Sequence, residues 1–177
     1  MALMKEDSTQ EAKGQVSDSV ERALYVQLIR AATRLEAELN RVFRPMHLTG
    51  ATYNILRILE AAGANGRSCG DISEQLIAEV PDMTRLLDRL ERLGYVARAR
   101  SSVDRRMVTV TISESGRDVL SRLREVVGDV HRRQFNALGE SGMAQLRSGL
   151  GVILERLDHL DRPQDSGGGA LSKHHPH

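Results

Sequence analysis

The sequence predicts a mainly α-helical fold interrupted once by a small β-hairpin. Three observations carry this. Apolar residues recur at intervals of three and four over most of the chain, the period of a helix with one buried face. Two short segments, residues 95–100 (YVARAR) and 107–112 (MVTVTI), alternate instead with the period of two that a half-buried strand requires. Gly94 stands where the first period gives way to the second, and glycine is the residue that ends a helix in the left-handed conformation.

Residues 1–17 are polar and without a period, which reads as a flexible arm. Val20, Leu24, Leu28, Ala31, Leu35, Leu39 and Val42 then form one continuous seam, so residues 18–48 are expected to hold a long helix that ends near Arg44, before Pro45. Thr49 is placed to cap a second helix through Ala62, with Ile55, Leu56 and Leu59 facing inward and Gly63 ending it. AGANGRS (62–68) reads as a loop.

The next stretch carries the chemistry. Ser68 and Asp71 have the S-x-x-D spacing of a capping box, and Ile72 and Leu76 share the face behind it. Residues 77–80 allow no more than a turn. Pro81 suits the first position of a further helix, where its missing N–H costs nothing, with Asp82 following in the first turn. Met83, Leu86, Leu87, Leu90 and Leu93 make the buried face of that helix. Asp82, Thr84, Arg85, Asp88, Arg89 and Arg92 occupy the other. A helix that exposes Thr and Arg near its start suits the major groove of DNA: arginine donates a pair of hydrogen bonds to guanine, and threonine touches a thymine methyl. The candidate DNA-contacting residues here are Thr84, Arg85 and Arg89, with Asp82 beside them. Ser68 caps its own helix first, and lets that N-terminus meet a phosphate second.

Between the strands lies SSVDRR (101–106). Arg98, Arg100, Arg105 and Arg106 are offset in the hairpin by Asp104 alone, whereas Arg85, Arg89 and Arg92 are balanced by Asp82, Asp88 and Glu91. Phosphate attraction is therefore expected mainly from the hairpin. Ser113 caps a following helix with Val119, Leu120, Leu123, Val126, Val127 and Val130 as its seam, broken at residues 139–142. The last helix has Met143, Leu146, Leu150, Ile153, Leu157 and Leu160 at alternating intervals of three and four, a heptad seam. The two short helices and the hairpin alone give this seam no partner. The two ends of the chain are expected to pack together and against a second copy, with Leu24, Leu28, Leu146, Leu150, Ile153 and Leu157 at the interface. Residues 162–177 are rich in Gly and His and read as a disordered tail.

Composition sets the limits. The chain has 177 residues, enough for one domain with a sizeable core, and a net charge of only +1, so any attraction to nucleic acid must be local. Aromatic residues are 3% with no Trp, against a binder that stacks single-stranded bases. A single cysteine excludes an internal disulfide and a multi-thiolate metal site. No apolar run spans a membrane and the N-terminus has no signal-peptide core, so a cytoplasmic location is expected. No nucleophile elbow, phosphate loop, carboxylate pair or metal-ligand cluster is visible; an enzyme, a cofactor and a metal are not expected. His174, His175 and His177 lack the carboxylates or thiolates of a metal cage and read as part of the tail.

The stretch from Thr84 to Val96 (TRLLDRLERLGYV), followed by Asp104–Arg105–Arg106 and by TISESG (111–116), resembles the winged helix-turn-helix of the multiple antibiotic resistance regulator (MarR) family. Asp104 and Arg106 fit the D-x-R that closes the family's wing. Ile112, Ser113 and Gly116 stand in for its L-T-x-x-G, with an apolar strand end and a hydroxyl cap retained. The resemblance extends over roughly residues 20–160. It implies a winged helix-turn-helix at 49–112 embedded in a helical dimerisation domain, formed by 18–48 and 113–161. It implies a homodimeric transcriptional regulator, a repressor in most such proteins, on double-stranded DNA with an inverted-repeat operator. Arg106 would enter the minor groove and Asp104 would hold it; a narrow A·T groove concentrates the negative potential that draws an arginine. The resemblance further implies a small-molecule effector, often a phenolic or other aromatic anion, seated between residues 30–47 and the winged unit.

Two alternatives stay open. Cys69 lies at a helix start, where thiols are activated, so oxidation could replace ligand sensing; the other reading is a small packing residue. A winged-helix module can also bind protein instead of DNA.

Overall fold

The computed structural model describes residues 3–100 and 108–161, with side chains described for 20–100 and 108–160. The wing tip with Asp104, Arg105 and Arg106, and the tail at 162–177, lie outside the described residues. The chain divides into two compact units, Met1–Gln134 and Phe135–His177.

The first unit opens with α1 (Leu3–Phe43). The stretch read as an arm, 1–17, is therefore helical from Leu3 onward. Lys5, Glu6, Gln10, Glu11, Ala12 and Lys13 are good helix formers, and adding a residue to an existing helix costs little. A 3-10 turn at Arg44–Met46 places Pro45 at its start and ends at His47, which takes φ 57. α2 (Gly50–Ala62) is capped by Thr49 as expected, with Thr52 as its reciprocal partner: the Thr49 N–H donates to Thr52 Oγ1 at 2.8 Å. Asn40 of α1 accepts from the Gly50 N–H at 3.0 Å, so the two helices share one cap.

The Ser68–Asp71 capping box is present at the head of α3 (Cys69–Gln75). Ile72 is buried behind it, while Leu76 has left the helix and is extended. α4 (Met83–Arg92) starts two residues later than expected. Asp82 is its N-cap, accepting from the Arg85 N–H at 2.9 Å, and Pro81 stands outside. A carboxylate that satisfies a free N–H outcompetes a proline that merely lacks one. Gly94, at φ 74, ends the helix with Tyr95 N–H donating to Leu90 O and Gly94 N–H to Glu91 O, the paired bonds of a left-handed cap.

The hairpin is β2 (Val96–Arg100) and β3 (Val108–Ile112), antiparallel with Val96 opposite Ile112 and Arg100 opposite Val108. Val110 and Ile112 are buried; Val108, expected on the same side, is exposed because it has passed the edge of the core. A third strand, β1 (Arg67–Ser68), pairs with β3 on its other side, so the segment read wholly as loop contributes to the sheet. α5 (Glu114–Phe135) buries Val119, Leu120, Leu123, Val127 and Val130 but exposes Val126. One core joins Phe43 and Leu48, the inner faces of α2 to α4, the sheet and α5.

In the second unit, a 3-10 turn (Asn136–Leu138) precedes α6 (Gly139–Asp161). The helix begins at Gly139 instead of Met143: Gly139, at φ 62, makes the break by itself, and Gly142 continues the helix at the cost of about 1 kcal/mol that glycine incurs there.

Candidate nucleic-acid interface

α3 and α4 are two short helices joined by a seven-residue turn, and β2 follows α4 through Gly94 and Tyr95. This is the helix-turn-helix and wing that the sequence predicts. At the N-terminal end of α4, Thr84 and Arg85 are both exposed, and the Arg85 side chain has no partner among the described residues. It stands at the N-terminal end of the helix that reads bases in this architecture.

The other expected contacts are differently engaged. Ser68 Oγ accepts from the Asp71 N–H at 3.1 Å, and Asp71 accepts from the Ser68 N–H at 3.1 Å. Hydrogen bonds from the Ser68 side chain and backbone hold the Asp71 carboxyl below its ordinary value. Asp82 is used as the α4 cap. Arg89 is half-buried and donates from Nη2 to the His47 carbonyl at 2.7 Å, tying α4 to the corner between α1 and α2. Tyr95 reinforces that corner through its hydroxyl, which donates to Met46 O at 3.4 Å. Arg92 donates within its own helix to Asp88 O at 3.4 Å. Asp104, Arg105 and Arg106 are outside the described residues.

Arg98 is the residue the charge count misplaced. It is not a free wing cation: Nη2 lies 2.6 Å from Asp88 Oδ1 and donates to Thr84 O at 3.2 Å, and Nε lies 3.7 Å from Glu91 Oε2. The strand period carried the signal. Val96 points inward, so Arg98, two residues on, is also in the inward phase, over α4. Of the described hairpin arginines, Arg100 remains exposed.

Behind the wing, Ser113 closes the unit. Its N–H donates to Tyr95 O at 3.0 Å, its Oγ to Gly94 O at 2.6 Å, and the same Oγ accepts from the Gly116 N–H at 3.0 Å. A Cβ at position 116 would stand 2.2 Å from Tyr95 O, so only glycine fits. The S-x-x-G pattern is thus the joint between wing and α5.

A cleft of about 670 Å³ opens in the same unit. α1 supplies Leu39 and Phe43, α2 Tyr53 and Arg57, the α3–α4 turn Ile77, and α5 Arg124. Phe43 and Tyr53 stack in its wall with ring centroids 4.6 Å apart. Arg124 donates to both oxygens of Glu60 at 2.9 and 3.0 Å. Cys69 is half-buried at the first position of α3. Among the described residues no group of three or more His, Cys, Asp or Glu could hold a metal ion, and no helix is long and apolar enough to cross a membrane.

Residues 48–107 match the MarR family profile. The MarR transcription factor of Planctomyces limnophilus is 32% identical, with TM-score 0.60, over 74% of this chain and 95% of its own. The chain belongs to the MarR family. The transcriptional repressor CouR, solved on a 23-mer DNA duplex, is 31% identical with TM-score 0.64, over 72% of this chain and 89% of its own. The transcriptional activatory protein BadR of Rhodopseudomonas palustris is 30% identical over 82% of this chain and 83% of that protein. This MarR-family chain is a DNA-binding transcriptional regulator and not an enzyme.

Proposed function

We propose that this regulator binds duplex DNA as a homodimer, on a pseudo-palindromic operator, and represses transcription by occupying it in the cytoplasm. The observation that carries the reading is the start of α4: Thr84 and Arg85 are exposed there, on a helix tied to the α1–α2 corner through Arg89 and to β2 through Arg98. A twofold dimer would set two such helices roughly 34 Å apart, one turn of DNA. Arg105 and Arg106 would serve each minor groove from the wing, with Asp104 orienting Arg106. The α6 stripe of Leu146, Leu150, Ile153 and Leu157 is exposed in the single chain, and Leu24 of α1 is 53% exposed, so both helices offer apolar faces to a second copy. The relatives above carry both signs, one named a repressor and one an activatory protein. We infer repression because occlusion needs only binding.

The cleft supports an effector. Apolar walls, two stacked rings and the exposed Arg57 guanidinium suit a small aromatic or phenolic anion, while Arg124 is held by Glu60. Bound there, it would favour the dimer whose reading helices are wrongly spaced for DNA.

The test is selection of duplexes from a randomised pool by the full chain, followed by anisotropy titration of the winner. An inverted repeat bound with strong salt dependence is expected, weakened by about 1–3 kcal/mol in Arg106→Ala. No enrichment, or enrichment without salt dependence, would refute DNA reading.

A further inference from the structure

Arg98 reaches three residues of one helix, and their spacing defines a line. Thr84, Asp88 and Glu91 stand at i, i+4 and i+7, one face of α4 seen from β2. One nitrogen of Arg98 serves both the Asp88 carboxylate (2.6 Å) and the Thr84 carbonyl (3.2 Å); Nε is buried without a hydrogen-bond partner, 3.7 Å from Glu91. The side chain is 22% exposed, so these interactions are partly shielded from solvent. Thr84 and Arg85 are adjacent, so the carbonyl that Arg98 holds belongs to the turn that presents the reading side chains.

We propose that Arg98 is a positioning residue for DNA reading: it locks the wing strand to the recognition helix through Asp88, Glu91 and the Thr84 carbonyl, and makes no phosphate contact itself. The inference rests on the DNA-binding reading above. The lock sets the angle between α4 in one groove and the wing in the next. Arginine suits the task because its planar fork engages several acceptors in one geometry; a lysine offers a point charge on a flexible stem. Arg98 also offsets one of the two negative charges that Asp88 and Glu91 bring to a helix that must approach phosphates.

The experiment compares wild type, Arg98→Gln, Arg98→Lys, Asp88→Asn and Arg100→Gln, each checked by thermal melting. Each is titrated over a series of KCl concentrations. The duplexes are one selected by the wild-type chain from a randomised pool and one unrelated duplex of equal length. For Arg98→Gln we expect about tenfold weaker binding to the selected duplex, little change on the unrelated one, and an unchanged salt slope. Arg98→Lys recovers part of the loss. Asp88→Asn also lowers the ratio of selected to unrelated affinity, although it removes a negative charge. Arg100→Gln weakens both duplexes alike. The proposal is overturned if Arg98→Gln weakens both duplexes together and flattens the slope by about 0.9, the mark of a lost phosphate contact. It is equally overturned if Asp88→Asn strengthens both in proportion, or if the variants change melting only. Should Arg98→Gln fail to fold, Arg98→Lys and Asp88→Asn decide by the same ratio. Wild type that binds no duplex removes the DNA-binding reading and this inference with it; wild type that binds while the variants behave as phosphate contacts removes the inference alone.

Discussion

Arg89 donates a hydrogen bond of 2.7 Å to the carbonyl oxygen of His47, across 42 residues of sequence. The acceptor sits in the left-handed residue of the corner between α1 and α2, and the donor in the C-terminal half of α4. Arg85, one turn earlier, has no such tie. The two arginines are alike in sequence and unlike in use. Arg85→Ala should cost about 1–3 kcal/mol of affinity for the selected duplex, with the loss concentrated at one base-pair position, and leave melting unchanged. Arg89→Ala should lower folding stability by about 1 kcal/mol and weaken all positions evenly. Titration against a set of singly substituted duplexes, beside urea unfolding, separates them.

Gly116 lies where a side chain has no room. Gly116→Ala puts a Cβ 2.2 Å from the Tyr95 carbonyl, a backbone atom that cannot turn aside. The expected loss is about 3 kcal/mol in urea unfolding. Gly128→Ala, in the same helix, meets only the end of Arg132 at 3.5 Å and should gain roughly 0.5–1 kcal/mol from helix propensity. Equal effects at the two positions would remove the close approach from the account.

These two glycines mark what the sequence could and could not disclose. Local devices were legible: the Ser68–Asp71 box, the Thr49 cap and the Gly94 stop each rest on residues within a few positions of one another. Gly116 was legible only as part of a motif, since its reason is a carbonyl 21 residues away. β1 was missed because two residues show no period, and its partner β3 lies about forty residues on. Arg98 was counted as a free charge because composition sums charges without asking which strand phase they occupy. The Arg89 bond goes to a carbonyl that no spacing reveals. The helical start of α1 was hidden by the opposite error, a demand for an apolar seam where propensity sufficed.

The Asp71 carboxyl should report on the α3 cap. Its pKa is lowered by its hydrogen bonds with Ser68. A depressed carboxyl stabilises the fold above its unfolded value, and that contribution disappears as pH falls through the folded one. Wild type should therefore melt above Asp71→Asn at neutral pH, and the gap should close below about pH 4. A gap that persists at low pH would mean the charge is irrelevant to the cap.

The α6 seam is tested by Leu150→Glu, which places a carboxylate on a leucine that is 36% exposed in the single chain. The expected result by light scattering is a monomer, or insoluble protein if the seam is obligatory. A soluble dimer after this change would take Leu150 off the interface.

The most direct measurement is sedimentation of the full chain with a duplex it selects, over a range of salt. The expected result is a dimer free in solution, two chains on each inverted-repeat duplex, and an affinity that falls steeply as salt rises. A single chain that sediments alone, with no salt-sensitive complex on any duplex, would contradict it.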